Sequence, residues 1–224
     1  MTPPDPSEAR LTIIQVTDVY TLQNFHALKS LIAERKAANP PGSVVSVLTG
    51  DFLAPYLLSS VDKGAGMMNA LGKTPIDYLT WGNHEADISH QTVCKHVRDF
   101  LGSWLNTNMQ DHEAMADQKT FDIIEVTSAD GTHTRRVGLV AVLSDDPALY
   151  ASFKSPGAFG GATIRCPWET LREYKALLEA PPYRNFPRSK EVHNSAPFLA
   201  AKSPNTAEPT ARLSDKDPYV RKGG

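Results

Sequence analysis

Three polar clusters in the first half of the chain carry side chains able to do chemistry: Asp18-Val19-Tyr20, Gly50-Asp51-Phe52, and Gly82-Asn83-His84-Glu85 with Asp87. Each follows a short apolar run. Together they offer two carboxylates and an amide oxygen as donors for divalent cations. They also offer an imidazole with a carboxylate three residues on. If the backbone stays extended through Tyr20, Asp18 and Tyr20 share one face. The glycines before Asp51 and Asn83 allow the sharp turns that bring backbone close to a bound ion. Taken singly, Asp18 and Asp51 are also the residues a strand-end turn or a helix cap uses. The ordered trio is what favours a site.

Other chemistry-bearing residues are less organised. His90 and Cys94 stand at i, i+4 on a helical stretch and could share a metal. With no further ligand nearby in sequence, they read as a surface histidine and a buried thiol. His96, His112 and His133 show no ligand spacing and read as surface residues. Gly64-Ala65-Gly66 lacks a third glycine and does not directly follow a strand, so it reads as entry into a helix rather than a dinucleotide loop. Cys94 and Cys166 are the two cysteines. With no apolar leader segment visible, they are expected to be reduced thiols in a cytosolic protein.

The elements that must position the clusters alternate between two periods. Leu11 to Thr17 is rich in β-branched residues, and Val44 to Leu48 and Ile76 to Trp81 are short apolar runs, all consistent with buried strands. Between them, Phe25 to Ala38 places Leu28, Leu31, Ile32 and Arg35 at helical spacing, and Asn39-Pro40-Pro41-Gly42 ends that helix. Gly66 to Leu71 reads as a brief helix stopped by Gly72. Ser89 is placed to cap a helix running to Leu101. This β-α-β-α-β-α order predicts an α/β fold with a largely parallel sheet, whose strand ends line one crevice. Phe121 to Thr127 and Arg135 to Leu143 flank Asp130-Gly131, a hairpin signal. Pro167 to Ala180 is helical, with Leu171, Tyr174, Leu177 and Leu178 on one face.

Beyond residue 180 the pattern stops. The last 44 residues contain seven prolines and eight Lys/Arg against four Asp/Glu, which predicts a disordered tail over 181–224. Residues 1–10, proline-rich and acidic, are expected to be disordered too. The domain is therefore expected over 11–180. A net charge of −2 and 21% charged residues give no reason to expect nucleic acid or an anionic membrane as partner. No apolar run reaches the roughly 18–20 residues that span a bilayer.

Thr17-Asp-Val-Tyr20, Leu48-Thr-Gly-Asp51 and Trp81-Gly-Asn-His-Glu-Ala-Asp87, in this order and each after a strand, resemble the first three signatures of the metallophosphoesterase (calcineurin-like) superfamily. The third is closest to the 5'-nucleotidase-like branch. The resemblance spans roughly residues 11 to 180. It implies an αββα sandwich of two mixed sheets flanked by helices. It also implies two divalent ions (Zn, Mn, Fe or Mg) and hydrolysis of a small phosphomonoester, such as a nucleotide. By the same resemblance Asp18 binds the first metal, Asp51 bridges both, Asn83 binds the second, His84 serves the phosphate, and Asp87 orients His84. Electrostatics explains the bridge: two divalent ions about 4 Å apart repel by about 17 kcal/mol at an effective dielectric of about 20, so an anion must lie between them.

The sequence departs from this pattern twice. The first signature normally ends in histidine where this chain has Tyr20. A neutral phenol is a poor ligand for Zn²⁺ or Mg²⁺, so Tyr20 is either a ligand of a harder, trivalent ion or a residue beside the site that leaves its coordination slot to water. The superfamily's later histidines, a strand-end His and a Gly-His-x-His segment, are missing: beyond Ala180 there is only His193. A C-terminally truncated or altered domain with an incomplete second sheet is the expectation. Its apolar residues Ile123, Val126, Val137, Leu139 and Val142 would then lie open to solvent. Weak metal binding, a non-catalytic scaffold that keeps the fold, or an inactive incomplete gene product is the expectation from the same absence.

Overall fold

Val44 to Thr49 alternates little in polarity because both of its faces are covered, and it runs through the middle of a four-stranded parallel sheet. The computed structural model describes residues 5–181 and 183. Its main sheet has the order β1-β2-β3-β4, formed by Thr12–Val16 (β1), Val44–Thr49 (β2), Tyr78–Thr80 (β3) and Ser103–Leu105 (β4). The connections carry Phe25–Ala38 (α1), Leu57–Asp62 (α2), Ala65–Gly72 (α3) and His90–Asp99 (α4). Strands added always on the same side, through crossovers of one hand, place these helices on one face of the sheet.

Strand periodicity separates two cores. Ile14, Val16, Leu48, Leu79 and Trp104 point to the helical face and join Phe25 and Ile32 of α1, Met67 and Leu71 of α3, and Val93, Cys94 and Val97 of α4. Val45, Val47, Tyr78 and Leu105, each of opposite parity, point to the other face. A short antiparallel pair, Met109–Gln110 (β5) with Thr163–Ile164 (β8), closes one side. On the second face the sheet meets Ile124 and Leu139 from the antiparallel hairpin Asp122–Thr127 (β6) and Thr134–Leu139 (β7). Pro167–Glu179 (α5) covers the outside of the hairpin: Gly138 lies against Leu178, and the ring of Phe121 sits 6.0 Å from that of Tyr174. The layers are therefore helices, parallel sheet, hairpin sheet, helix.

This is the α/β sandwich expected from the sequence, with corrections. Among the described residues no sheet is mixed: the four-stranded one is wholly parallel and the two two-stranded ones are antiparallel. The hairpin is not laid open, because the parallel sheet and α5 enclose it. Val126 is only 2% exposed, and Ile123, Val137, Leu139 and Val142 are half-buried. Of the residues expected on the inner faces, Leu31 and Arg35 of α1 and Leu177 of α5 are exposed.

A buried polar link ties the sheet together. Ser46 donates its N–H and its hydroxyl to Asp77 Oδ2, both at 2.8 Å, and Lys36 of α1 binds the other oxygen of Asp77 at 2.7 Å. Both cysteines are free thiols, Cys94 buried and Cys166 partly so. Among the described residues no helix is long and apolar enough to cross a membrane. The tail expected from residue 181 lies, apart from 181 and 183, outside the described residues.

Candidate functional site

The three sequence clusters sit at the carboxyl ends of β1, β2 and β3, which lie side by side in parallel register, so parallel pairing alone brings them to one edge. Close backbone contacts then lock them. Asp18 donates its N–H to Gly50 O at 3.4 Å. Asp51 Oδ1 accepts from His84 N at 2.9 Å. Asp18 and Asp51 both adopt positive φ, 53° and 54°, a strained choice for a residue with a side chain and one concentrated at functional sites. Gly50 and Gly82 face each other so closely that a Cβ on Gly50 would lie 2.5 Å from Gly82 N, and one on Gly82 would lie 2.2 Å from Asp51 Oδ1. Both glycines are thus required by close approach.

Glu85 organises this junction, a role that the sequence pattern alone does not give it. Its carboxylate is fully buried. One oxygen accepts from Asp51 N at 2.9 Å and Gly82 N at 2.7 Å, and the other from Phe52 N at 2.8 Å and Leu53 N at 3.1 Å. Burial pushes its pKa up to about 7, while the four N–H donors pull the other way. The available signal was its place three residues after Gly82 at the start of a helical turn, where an acid reaches back to free N–H groups.

Asp18 is exposed, and its two oxygens accept from Thr17 Oγ1 at 2.8 Å and Tyr20 OH at 2.9 Å. Those two bonds, Thr17 first, hold its carboxyl below the usual range. Burial, then the bond to Asp18, raises the Tyr20 phenol well above its ordinary value, and the charge of Asp51 acts in the same direction. Tyr20 is therefore a neutral donor that orients Asp18, and its ring stands edge-on to His84 at 6.4 Å. Asn83 opens the helical turn Asn83–Asp87 and makes no side-chain hydrogen bond among the described residues. His84 Nδ1 donates to Asp87 Oδ2 at 2.7 Å. That bond is the main cause of a raised His84 pKa, with Asp51 adding to it. Tyr150, pushed up to about 12 by burial first, also feels Asp51, Asp145 and Asp146, which brings the loop after β7 near the same edge.

The donors gathered here are oxygen-rich: Asp18, whose oxygens each keep a lone pair beside the bonds from Thr17 and Tyr20, the second oxygen of Asp51, and Asn83. Such a set fits a hard divalent cation. Among the described residues no histidine other than His84 makes a hydrogen bond or ring contact with this group.

Two histidines expected at the surface are buried. His96 is 8% exposed, with Nε2 bonded to Lys63 O at 2.8 Å. His112 is 3% exposed and packs on Trp81, with ring centroids 4.8 Å apart. It comes within reach of His90 and Cys94, supplying the third partner that the sequence interval concealed.

No family model matches the sequence, and no curated protein matches it. Solved structures do match its fold. A 5'-nucleotidase precursor from Thermus thermophilus superposes with a TM-score of 0.57 at 14% identity, over 75% of this chain and 34% of that one. The NAD nucleotidase of Haemophilus influenzae gives 0.60 at 14% identity, over 75% of this chain and 32% of that one. The calcineurin-like phosphoesterase YfkN from Bacillus subtilis gives 0.56 at 15% identity, over 75% and 58%. The chain spans about a third of the length of the first two. Its described part shares the fold of these nucleotidases and this phosphoesterase.

Proposed function

We propose that the chain is a metal-dependent phosphoester hydrolase of 5'-nucleotidase-like type, acting on a small phosphomonoester. Asp18 and Asp51 would hold one divalent ion and Asp51 and Asn83 a second, with Asp51 as the anionic bridge. Bound there, the ions would supply an activated water and neutralise charge on the phosphate. The chain's own residues account for the rest. Asp87 takes the proton on His84 Nδ1 as a hydrogen bond, which fixes the ring and leaves Nε2 to hold or give a proton at the ester oxygen. The hydrogen bond to Asp87 favours the protonated ring, the form that an acid for the leaving group requires. Tyr20 and Thr17 orient Asp18, and Glu85 fixes the Asp51 and Gly82 loops.

The observation that carries this reading is the joining of Asp51, His84 and Asp87 through hydrogen bonds of 2.7–2.9 Å at the ends of two neighbouring strands. Turnover of a nitrophenyl phosphate by the full chain with Mn²⁺ or Zn²⁺ tests it. Activity that is lost in Asp51→Ala supports the assignment, and wild-type activity that survives in that variant refutes it. A second reading, a binding protein that keeps the fold without turnover, is favoured by the lack of further histidines beside the trio among the described residues. Calorimetry with phosphate distinguishes them, since binding that is equally tight with a chelator present belongs to the scaffold.

A further inference from the structure

A cavity of about 330 Å³ adjoins the proposed acid pair, and none of the steps above fills it. Its wall includes Asp87, the carboxylate that takes the His84 Nδ1 proton at 2.7 Å, and then Ser89 and His90 at the start of α4. Val93, Phe153 and Phe159 supply an apolar part of the wall. A concave space of this size, apolar with a few polar groups, suits a small organic molecule.

Two segments close on each other to form it. Gly160 lies against the ring of His90, so near that a Cβ would stand 2.6 Å from Nε2. Phe159 adopts φ 52°, a left-handed conformation uncommon for an aromatic residue, and strain of this kind gathers at ligand clamps. Its ring is only 5% exposed and stands edge-on to Trp81 at 5.4 Å. The loop is thus anchored on Trp81, just before the Gly82-Asn83-His84 turn, and on His90, just after Asp87. The packing that fixes the acid pair also fixes the cavity beside it.

We propose that this cavity holds the leaving alcohol of the phosphoester and selects a neutral alcohol that carries a ring and a hydroxyl or N–H donor. The proposal rests on the phosphoesterase reading given above. Attack of water on phosphorus breaks the P–O bond to the alcohol, whose oxygen takes the Nε2 proton of His84, so that inorganic phosphate and free alcohol result. The carbon skeleton on that oxygen is thereby brought beside Asp87. Its ring lies against Phe153 and Phe159, whose faces and edges favour a flat partner. Its donor meets Asp87 Oδ1, which makes no hydrogen bond among the described residues. Charge sets the selectivity, because no Lys or Arg lines the cavity while Asp87 does. An alcohol bearing a carboxylate or a second phosphate would face Asp87 with no cation to offset it.

Saturation-transfer NMR on the full-length chain, with a chelator present, reads the cavity without turnover. The expected result is that 4-hydroxybenzyl alcohol binds saturably and 4-hydroxybenzoate at least about tenfold more weakly. Phe153→Ala, at a half-buried position, weakens the alcohol about tenfold, and Phe153→Leu restores part of the affinity. No binding of the alcohol, equal binding of the carboxylate, or affinity unmoved in Phe153→Ala overturns the proposal. With Mn²⁺ added, kcat/KM for 4-(hydroxymethyl)phenyl phosphate should exceed that for 4-carboxyphenyl phosphate about tenfold or more. Turnover of both esters without that preference overturns the selective cavity alone. Turnover of neither ester, with selective alcohol binding intact, overturns the phosphoesterase reading alone and leaves the cavity as a site for the neutral alcohol.

Discussion

At the scale of single residues, Glu85 is the most consequential side chain that the sequence pattern leaves unmarked. Each of its oxygens faces two N–H donors. Glu85→Gln preserves its shape but turns an NH₂ toward two of those donors and orphans both. At about 1–3 kcal/mol per unsatisfied group, the two orphaned donors are expected to cost about 2–6 kcal/mol of stability in urea unfolding. A loss below about 0.5 kcal/mol would be too small for a buried clamp of this kind. Asp87 supports a different prediction. Its hydrogen bond is the leading cause of the raised His84 pKa, so Asp87→Asn lowers that pKa. The protonated acid is then lost at lower pH, and the alkaline limb of kcat/KM moves toward acid. An unmoved limb contradicts the role given to His84. The same shift has a stability sign: the pair's contribution is complete below the ordinary pKa of 6.5 and fades as pH rises through the raised value.

At the scale of elements, most is legible where local chemistry and tertiary structure agree. Phe25 to Ala38 has both its helical bounds as expected, because the Asn-Pro-Pro-Gly stop is written locally. The first three strands and the hairpin are placed within a few residues by their apolar runs. Ser103–Leu105, Met109–Gln110 and Thr163–Ile164 were not legible. Runs of two or three residues carry no periodicity, and only pairing with a distant partner makes them strands. The burial of His96 and His112 was hidden for the same reason, since each acquires its surroundings from another element. The trio of loops was legible because parallel strands deliver their carboxyl ends to one edge. That convergence is sterically tight, and Gly50→Ala tests it. Its φ of +77° and a 2.5 Å approach to Gly82 N predict a loss of about 2–4 kcal/mol. A fully stable Gly50→Ala chain would mean the loops are not packed as described.

At the scale of the whole molecule, the sheet ends at β1, and among the described residues nothing pairs with its outer edge. Ile13 on that strand is 56% exposed, and Leu57 and Val61 on α2 are 84% and 79% exposed. An open edge with apolar side chains promotes association. Light scattering should therefore show concentration-dependent self-association that Ile13→Lys reduces, with thermal stability little changed because the side chain buries little. Association indifferent to that charge would place the sticky surface elsewhere. Across all three scales, the proposed function turns on whether Asp18, Asp51 and Asn83 grip a cation together. Titration of the full chain with Mn²⁺, followed by electron paramagnetic resonance, tests this most directly, since manganese favours oxygen donors. The predicted result is saturable binding that weakens roughly tenfold or more in each of Asp18→Asn, Asp51→Asn and Asn83→Ala while the fold persists. Binding by the wild-type chain that all three variants retain unchanged would contradict it.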